Sequence, residues 1–176
     1  MSLTHRIATQ DDLPALSALM NQAIGELQKG FLSPEQIASS RMIMGLDSQL
    51  VADRTYFVIE QDGVLAGCGG WSRRDTLYGG DHTPGREPRL LDPASEPARV
   101  RAMYASPAFA RRGVGRLILS LCEAAAKAEG FRRLELAATL SGKPLYESCG
   151  FEPIEAFEDA RGGVAVPLVR MGKAVG

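Results

Sequence analysis

The stretch that decides the reading is Met103-Tyr104-Ala105-Ser106-Pro107-Ala108-Phe109-Ala110-Arg111-Arg112-Gly113-Val114-Gly115-Arg116-Leu117-Ile118. It continues an alternating run in which Ala98, Val100, Ala102 and Tyr104 interleave with Arg99, Arg101 and Met103, the pattern of a strand with two different faces. Pro107 ends that strand. After Gly113-Val114-Gly115 a helix begins, with Leu117, Ile118, Leu121, Cys122, Ala125 and Ala128 on one face and Arg116, Ser120, Glu123 and Lys127 on the other. Glu123 and Lys127 stand in the favourable i,i+4 order for an ion pair. A helix start presents N–H groups without intrahelical partners and a partial positive charge of about half a unit. Gly113 and Gly115 let an anion approach the backbone, and Arg111, Arg112 and Arg116 add charge around it. The design is that of a pyrophosphate cradle; a plain basic helix cap would use the same residues.

Working outward, residues 4–8 suit a short strand, and a helix follows with its cap placed at Asp11 by the tolerance for Pro14 in the first turn. Leu13, Leu16, Met20, Ala23, Ile24 and Leu27 form its apolar face, and Gly30 stops it. Ser33-Pro34-Glu35-Gln36 is a capping box that predicts a second helix to about Met44. Tyr56 to Ile59 and Val64 to Cys68 flank an Asp62-Gly63 turn and predict a hairpin. Residues 74–97, broken by glycines and prolines, predict a long irregular connection, either a solvated insertion or a functional loop. Beyond Gly130, Leu134 to Ala137 predicts a strand, Ser141 to Cys149 a short helix, and Phe151 to Phe157 and Val164 to Met171 a strand pair. Pro167 suggests an exposed edge for the last strand, which would offer a homodimer contact. The order implies a mixed α/β sheet with helices on its faces.

Composition bounds the partners. The chain has 176 residues, 45% hydrophobic and 23% charged, which suits one domain spanning 1–176. A net charge of -1 disfavours a protein that coats nucleic acid or an anionic membrane. The three cysteines, Cys68, Cys122 and Cys149, and the two histidines, His5 and His82, have no disulfide or zinc spacing, so a reducing compartment and no metal are expected. With no apolar signal core and no membrane-length apolar run, the cytoplasm is the expected location.

Two phosphate-binding motifs fail. A dinucleotide fingerprint requires a third glycine where Ile118 stands, and a P-loop fails at Ala137 and Pro144. The run Arg111 to Arg116, after a strand and Pro107, instead resembles the acetyl-coenzyme A pyrophosphate loop of GCN5-related N-acetyltransferases (GNAT). Lys143-Pro144-Leu145-Tyr146-Glu147-Ser148-Cys149-Gly150-Phe151 resembles that family's Leu-Tyr helix and the strand after it, and the hairpin from Phe57 to Ser72 is a weaker match. The resemblance covers nearly the whole chain and implies a mostly antiparallel central sheet flanked by helices. It departs from the family at Ala110, where Gln or Arg is common, and near Thr139, where Asn is common; Arg111, and Thr139 or Ser141, are the substitutes available here.

The resemblance further implies a function. The backbone of Met103, Tyr104 and Ala105 would pair with the pantetheine arm of acetyl-coenzyme A as an added strand. The amides of Arg111, Arg112, Gly113, Val114, Gly115 and Arg116 would hold its pyrophosphate, and Tyr146 would protonate the leaving thiolate. The acceptor would be a small-molecule or peptide amine, attacking directly with both substrates bound. Candidates for a base are Glu96, Asp81, His82, Asp92 and Glu60, each with an alternative as a surface charge. Arg99 and Arg101 either favour an acidic acceptor or are simply paired, and Trp71 and Tyr78 either wall the acceptor pocket or sit in the core. A non-catalytic acyl-coenzyme A sensor and a protein-interaction domain are the alternatives to an enzyme.

Overall fold

The computed structural model describes residues 2–86 and 88–176. Seven strands form one sheet in the order β1-β2-β3-β4-β5-β7-β6. They are β1 (Leu3–Ile7), β2 (Tyr56–Gln61), β3 (Val64–Ser72), β4 (Ala98–Ala105), β5 (Arg133–Thr139), β6 (Glu152–Asp159) and β7 (Val166–Ala174). Neighbours are antiparallel except β4 and β5, which are parallel. The helices are α1 (Leu13–Leu27), α2 (Pro34–Ser40), α3 (Ser48–Ala52), α4 (Val114–Ala128) and α5 (Lys143–Ser148). No helix among the described residues is long and apolar enough to cross a membrane.

The apolar run of β2 is continuous because both faces of the sheet are covered. Phe57 and Ile59 pack on the α4 side with Ile118 and Cys122, and Tyr56 and Val58 on the α1 side with Leu16 and Met20. On α4 the fully buried line is Val114, Ile118, Cys122 and Ala126, one residue per turn against the sheet. Burial of each larger side chain contributes about 1.5–3 kcal/mol. Burial also pushes the Cys68 thiol up to about 12, so it behaves as a small hydrophobe. Trp71 is a core residue, edge-on to Phe131 at 5.9 Å. The Asp62-Gly63 turn has both residues at positive φ, 53° and 77°, the conformation a two-residue hairpin requires.

Several local expectations are corrected. The first helix is not capped at Asp11. A 3-10 turn, Gln10–Asp12, precedes it, and the Asp12 carboxylate accepts from the Thr9 N–H at 2.8 Å. The capping box at Ser33 and Gln36 is present, but α2 ends at Ser40, not near Met44. There the Ser39 hydroxyl donates to Val164 O and the Ser40 hydroxyl to Ile37 O, which competes with continued helix. The short helix α3 had no periodic signal. Glu123 pairs with Lys173 at 2.9 Å, while Lys127 donates to Gly176 O. The last strand is not an edge: β7 lies between β5 and β6, and β6 is the free edge. Pro167 is tolerated because the β5 ladder stops one residue short of it, at Thr139 opposite Leu168.

Two stability predictions follow from this packing. A Cβ at Gly70 would lie 2.2 Å from the backbone oxygen of Thr55, where nothing can yield cheaply. Gly70→Ala should lower the urea unfolding midpoint by the equivalent of about 1–3 kcal/mol; an unchanged midpoint would contradict the packing described. At the end of β6, Asp159 accepts from the Tyr78 hydroxyl at 2.7 Å and from Arg161 at 2.6 Å. Burial alone would raise its pKa, but the hydrogen bonds from Arg161 and Tyr78 outweigh it and hold the carboxyl at about 2. A folded-state pKa below the unfolded value stabilises the fold above the unfolded pKa, near 4, and that contribution fades as pH falls toward 2. Asp159→Asn should therefore cost on the order of 1–2 kcal/mol at pH 7. In thermal melts the gap from the wild type should narrow between pH 4 and 2, and a gap that widens on acidification would refute the linkage.

Candidate functional site

The site begins where the sheet splits. Strands β4 and β5 pair only at Ala98 with Leu134 and Arg99 with Glu135. Beyond these, β4 continues beside β3 and β5 beside β7, so a cleft opens between them. The alternation read through Ala98, Val100, Ala102 and Tyr104 does not hold across β4. Between the pairs Gly70 with Arg101 and Cys68 with Tyr104, β4 carries one residue more than β3. That bulge puts Ala102 at φ 51° and directs its carbonyl to the Tyr56 hydroxyl, 2.5 Å away. Met103 and Ala105 thereby join the α4 face with Ala98 and Val100, and Tyr104 turns to the α1 face. The Ser106 N–H donates to Ala66 O at 2.8 Å. Since successive residues of a strand alternate, Met103 and Ala105 turn their N–H and C=O groups away from β3 and into the cleft.

A 3-10 turn, Pro107–Phe109, then a left-handed Arg111 (φ 62°) and Gly113 (φ 86°), lead into α4. The helical ladder opens with Leu117 N–H donating to Gly113 O at 3.0 Å, so the N–H groups of Val114, Gly115 and Arg116 precede it. The two glycines differ. Gly113 has open space around it and is demanded by its backbone angle, whereas a Cβ at Gly115 would lie 2.4 Å from Leu145 Cδ2. Gly115 thus lets α5 close on α4. Arg116 donates to Ser148 Oγ at 3.1 Å, and Arg112 lies over the Phe109 ring at 5.6 Å.

Helix α5 brings the half-buried Tyr146 to the same cleft. Its hydroxyl is 3.8 Å from Met103 Sδ and its ring packs edge-on against Phe151 at 5.9 Å. Burial raises its pKa well above the usual phenol value, so it stays protonated and able to donate at neutral pH. Thr139 Oγ1 accepts from the Gly142 N–H and bonds Ser141 Oγ, both at 3.2 Å, which fixes the turn into α5.

These elements enclose a cavity of about 570 Å³. The structure brings together on its wall Met103, Tyr104 and Ala105, then Arg111, Gly113, Val114, Gly115 and Arg116, and Tyr146. Arg112 is left outside the lining. The Tyr104 side chain is buried and its hydroxyl accepts from the Gly45 N–H at 3.0 Å. Sequence reasoning missed the far wall, built from Ile24, Leu27 and Phe31 around the end of α1, Ile43 and Met44, and Leu77. The one signal was the apolar stripe of α1, which continues past the helix end to Phe31. Tyr78 also lines the cavity, held by Asp159, so part of the 74–97 connection reaches the site.

None of the expected bases does. Glu96 pairs with Arg89, Glu60 with Arg6, Asp81 accepts from Ser48, His82 contacts Arg41 O, and Asp92 accepts from the Ala94 N–H. Among the described residues no Asp, Glu, His or Lys lines the cavity; its charged groups are Arg101, Arg111 and Arg116. Arg101 is buried, with Asp47 at 2.9 Å and Gly79 O at 2.5 Å, and Arg99 is paired with Asp75 and Glu135 outside the cavity. No group of three or more His, Cys, Asp and Glu placed to hold a metal occurs among the described residues.

With this geometry, the comparisons converge. No curated protein matches the chain. Among solved structures it is similar to a GCN5-related N-acetyltransferase from Rhodopseudomonas palustris, at 16% identity over 99% of this chain and 96% of that one, with a TM-score of 0.73. It is also similar to the PaiA N-acetyltransferase of Thermoplasma acidophilum in complex with coenzyme A, at 16% identity over 99% of each chain and a TM-score of 0.67. A third is YncA of Salmonella typhimurium, described as a putative acetyltransferase with acetyl-CoA, at 18% identity over 100% and 95% of the chains, TM-score 0.64. These likenesses establish the fold. The model of the acetyltransferase (GNAT) family matches residues 18–151, most of the length, and the chain belongs to that family.

Proposed function

We propose that this chain transfers the acetyl group of acetyl-coenzyme A to a primary amine of a small molecule or peptide, by direct attack with both substrates bound. The observation that carries this reading is the convergence of three elements on one cavity: the unpaired edge of β4, the open N–H groups at the start of α4, and the Tyr146 hydroxyl. Two of the similar structures hold coenzyme A or acetyl-CoA.

The chain's groups fit such a ligand. Met103 and Ala105 offer N–H and C=O groups to the amides of a pantetheine arm. The start of α4, with Arg111 and Arg116 beside it, suits a pyrophosphate. The amine nitrogen bonds to the thioester carbonyl carbon, and a backbone N–H of the Met103–Ala105 segment stabilises the oxyanion. The C–S bond then breaks, Tyr146 O–H protonates the thiolate, and the proton released from nitrogen passes through water and restores the Tyr146 hydroxyl. Holding both reactants in one cleft supplies much of the rate. The bare wall of the cavity, without Asp, Glu or His among the described residues, favours one rival, a non-catalytic acyl-coenzyme A sensor.

The test combines calorimetric titration of coenzyme A with an assay of free thiol release. Gly113→Val, which forces a β-branched residue to positive φ, should abolish detectable binding, and retained affinity would remove the loop from its role. Tyr146→Phe should leave affinity nearly unchanged while lowering turnover about 100-fold, the scale of a lost general acid. Unchanged turnover would remove Tyr146 as the acid, and binding without turnover of any amine would select the sensor.

A further inference from the structure

The acceptor end of the cavity differs in chemistry from the end at α4. It is walled by Ile24, Leu27, Phe31, Ile43, Met44 and Leu168. Its polar groups are largely engaged. The Tyr78 hydroxyl donates to Asp159, Tyr104 accepts from Gly45, and Arg101 is held by Asp47 and Gly79 O. Asp47 also binds Arg86 at 2.8 Å, and neither it nor Asp159 lines the cavity. Gln28 lies on the wall with Nε2 committed to Ile24 O and Ser40 Oγ, which leaves Oε1 as one buried acceptor without a partner.

We infer that the acceptor is an apolar monoamine, a single amino group on a branched aliphatic or single-ring body, and that amines with a second cationic group are excluded. The inference rests on the acyl-transfer reading above. A second ammonium would be desolvated against aliphatic side chains, with no carboxylate among the described lining residues to pair with and with the Arg101 guanidinium, itself paired with Asp47, nearby. The same surroundings favour the free base of the reacting amine over its ammonium form, which is the form that attacks. An apolar body displaces water from this wall and fills it.

The experiment measures kcat/KM by thiol release with acetyl-CoA for phenethylamine and isoamylamine against spermidine, lysine and glucosamine. Coenzyme A affinity is measured in parallel. The apolar amines should be preferred roughly tenfold or more. Phe31, half-exposed at the cavity wall, is changed to Glu without disturbing the core. Phe31→Glu should shift the preference toward spermidine by about tenfold with coenzyme A affinity unchanged. Equal or better use of spermidine or lysine by the wild type overturns the inference and leaves acetyl transfer standing. So does failure of the apolar amines to react when coenzyme A binds. If coenzyme A itself does not bind, the acyl-transfer reading falls, and the inference with it.

Discussion

The parting of β4 from β5 after two residue pairs is the constraint on which the rest depends. Parallel strands that stayed paired would satisfy one another's backbone groups and leave no edge. Because these diverge, the second half of β4 keeps one side unpaired, and something must satisfy those groups: water or an extended ligand. The bulge at Ala102 adds the second condition. It reverses which side chains face α4, so Met103 meets Tyr146 while Tyr104 is withdrawn to anchor Gly45 on the other side. One extra residue in β4 therefore sets both walls of the site.

The fold and the loop geometry at the start of α4 were largely legible because their signals are local. Gly113 needs a backbone angle that other residues avoid, the Asp62-Gly63 turn needs two, and the apolar spacing of α4 declares its buried face. What was not legible depends on register and tertiary placement. Nothing in the β4 sequence marks the bulge, since Ala102 is small enough to suit either face. The position of β7 inside the sheet was hidden because Pro167 reads as an edge residue, and only the length of the β5 ladder shows that it falls past the last pair. The far wall of the cavity gathers residues from α1, the segment after α2, the 74–97 connection and β7, and no sequence window contains them together.

The 74–97 connection shows why the expected bases failed. Its described charges are engaged within the fold. Arg74 pairs with Asp53, Arg86 with Asp47, and Arg89 with Asp75 and Glu96, while Arg161 reaches the Pro84 carbonyl from the far hairpin. The more exposed of these, Arg89 with Asp75 and Glu96, contribute little to stability, because water screens them. Asp47 with the buried Arg101 is different, because removing Asp47 would strand a desolvated guanidinium, at a cost of about 3–5 kcal/mol. Arg101 also binds the carbonyl of Gly79, so this ion pair ties the connection to β4 and sets Leu77 and Tyr78 on the cavity wall.

The near-zero net charge follows from the same arrangement. Many carboxylates are matched to arginines across the body of the molecule, Asp47 with Arg101 among them, while Arg111 and Arg116 stand at one end of the cavity with no acid among its described lining residues. An anion is favoured at the start of α4 because charge and helix dipole act together there. At the far end the opposite argument applies, since a cation would be desolvated against apolar side chains with no carboxylate among the described lining residues. The cavity is thus divided by chemistry, with charge at one end and hydrocarbon at the other. On the proposed acyl-transfer reading, the reacting amine would have to shed its proton before attack, because no Asp, Glu, His or Lys among the described residues lines the wall.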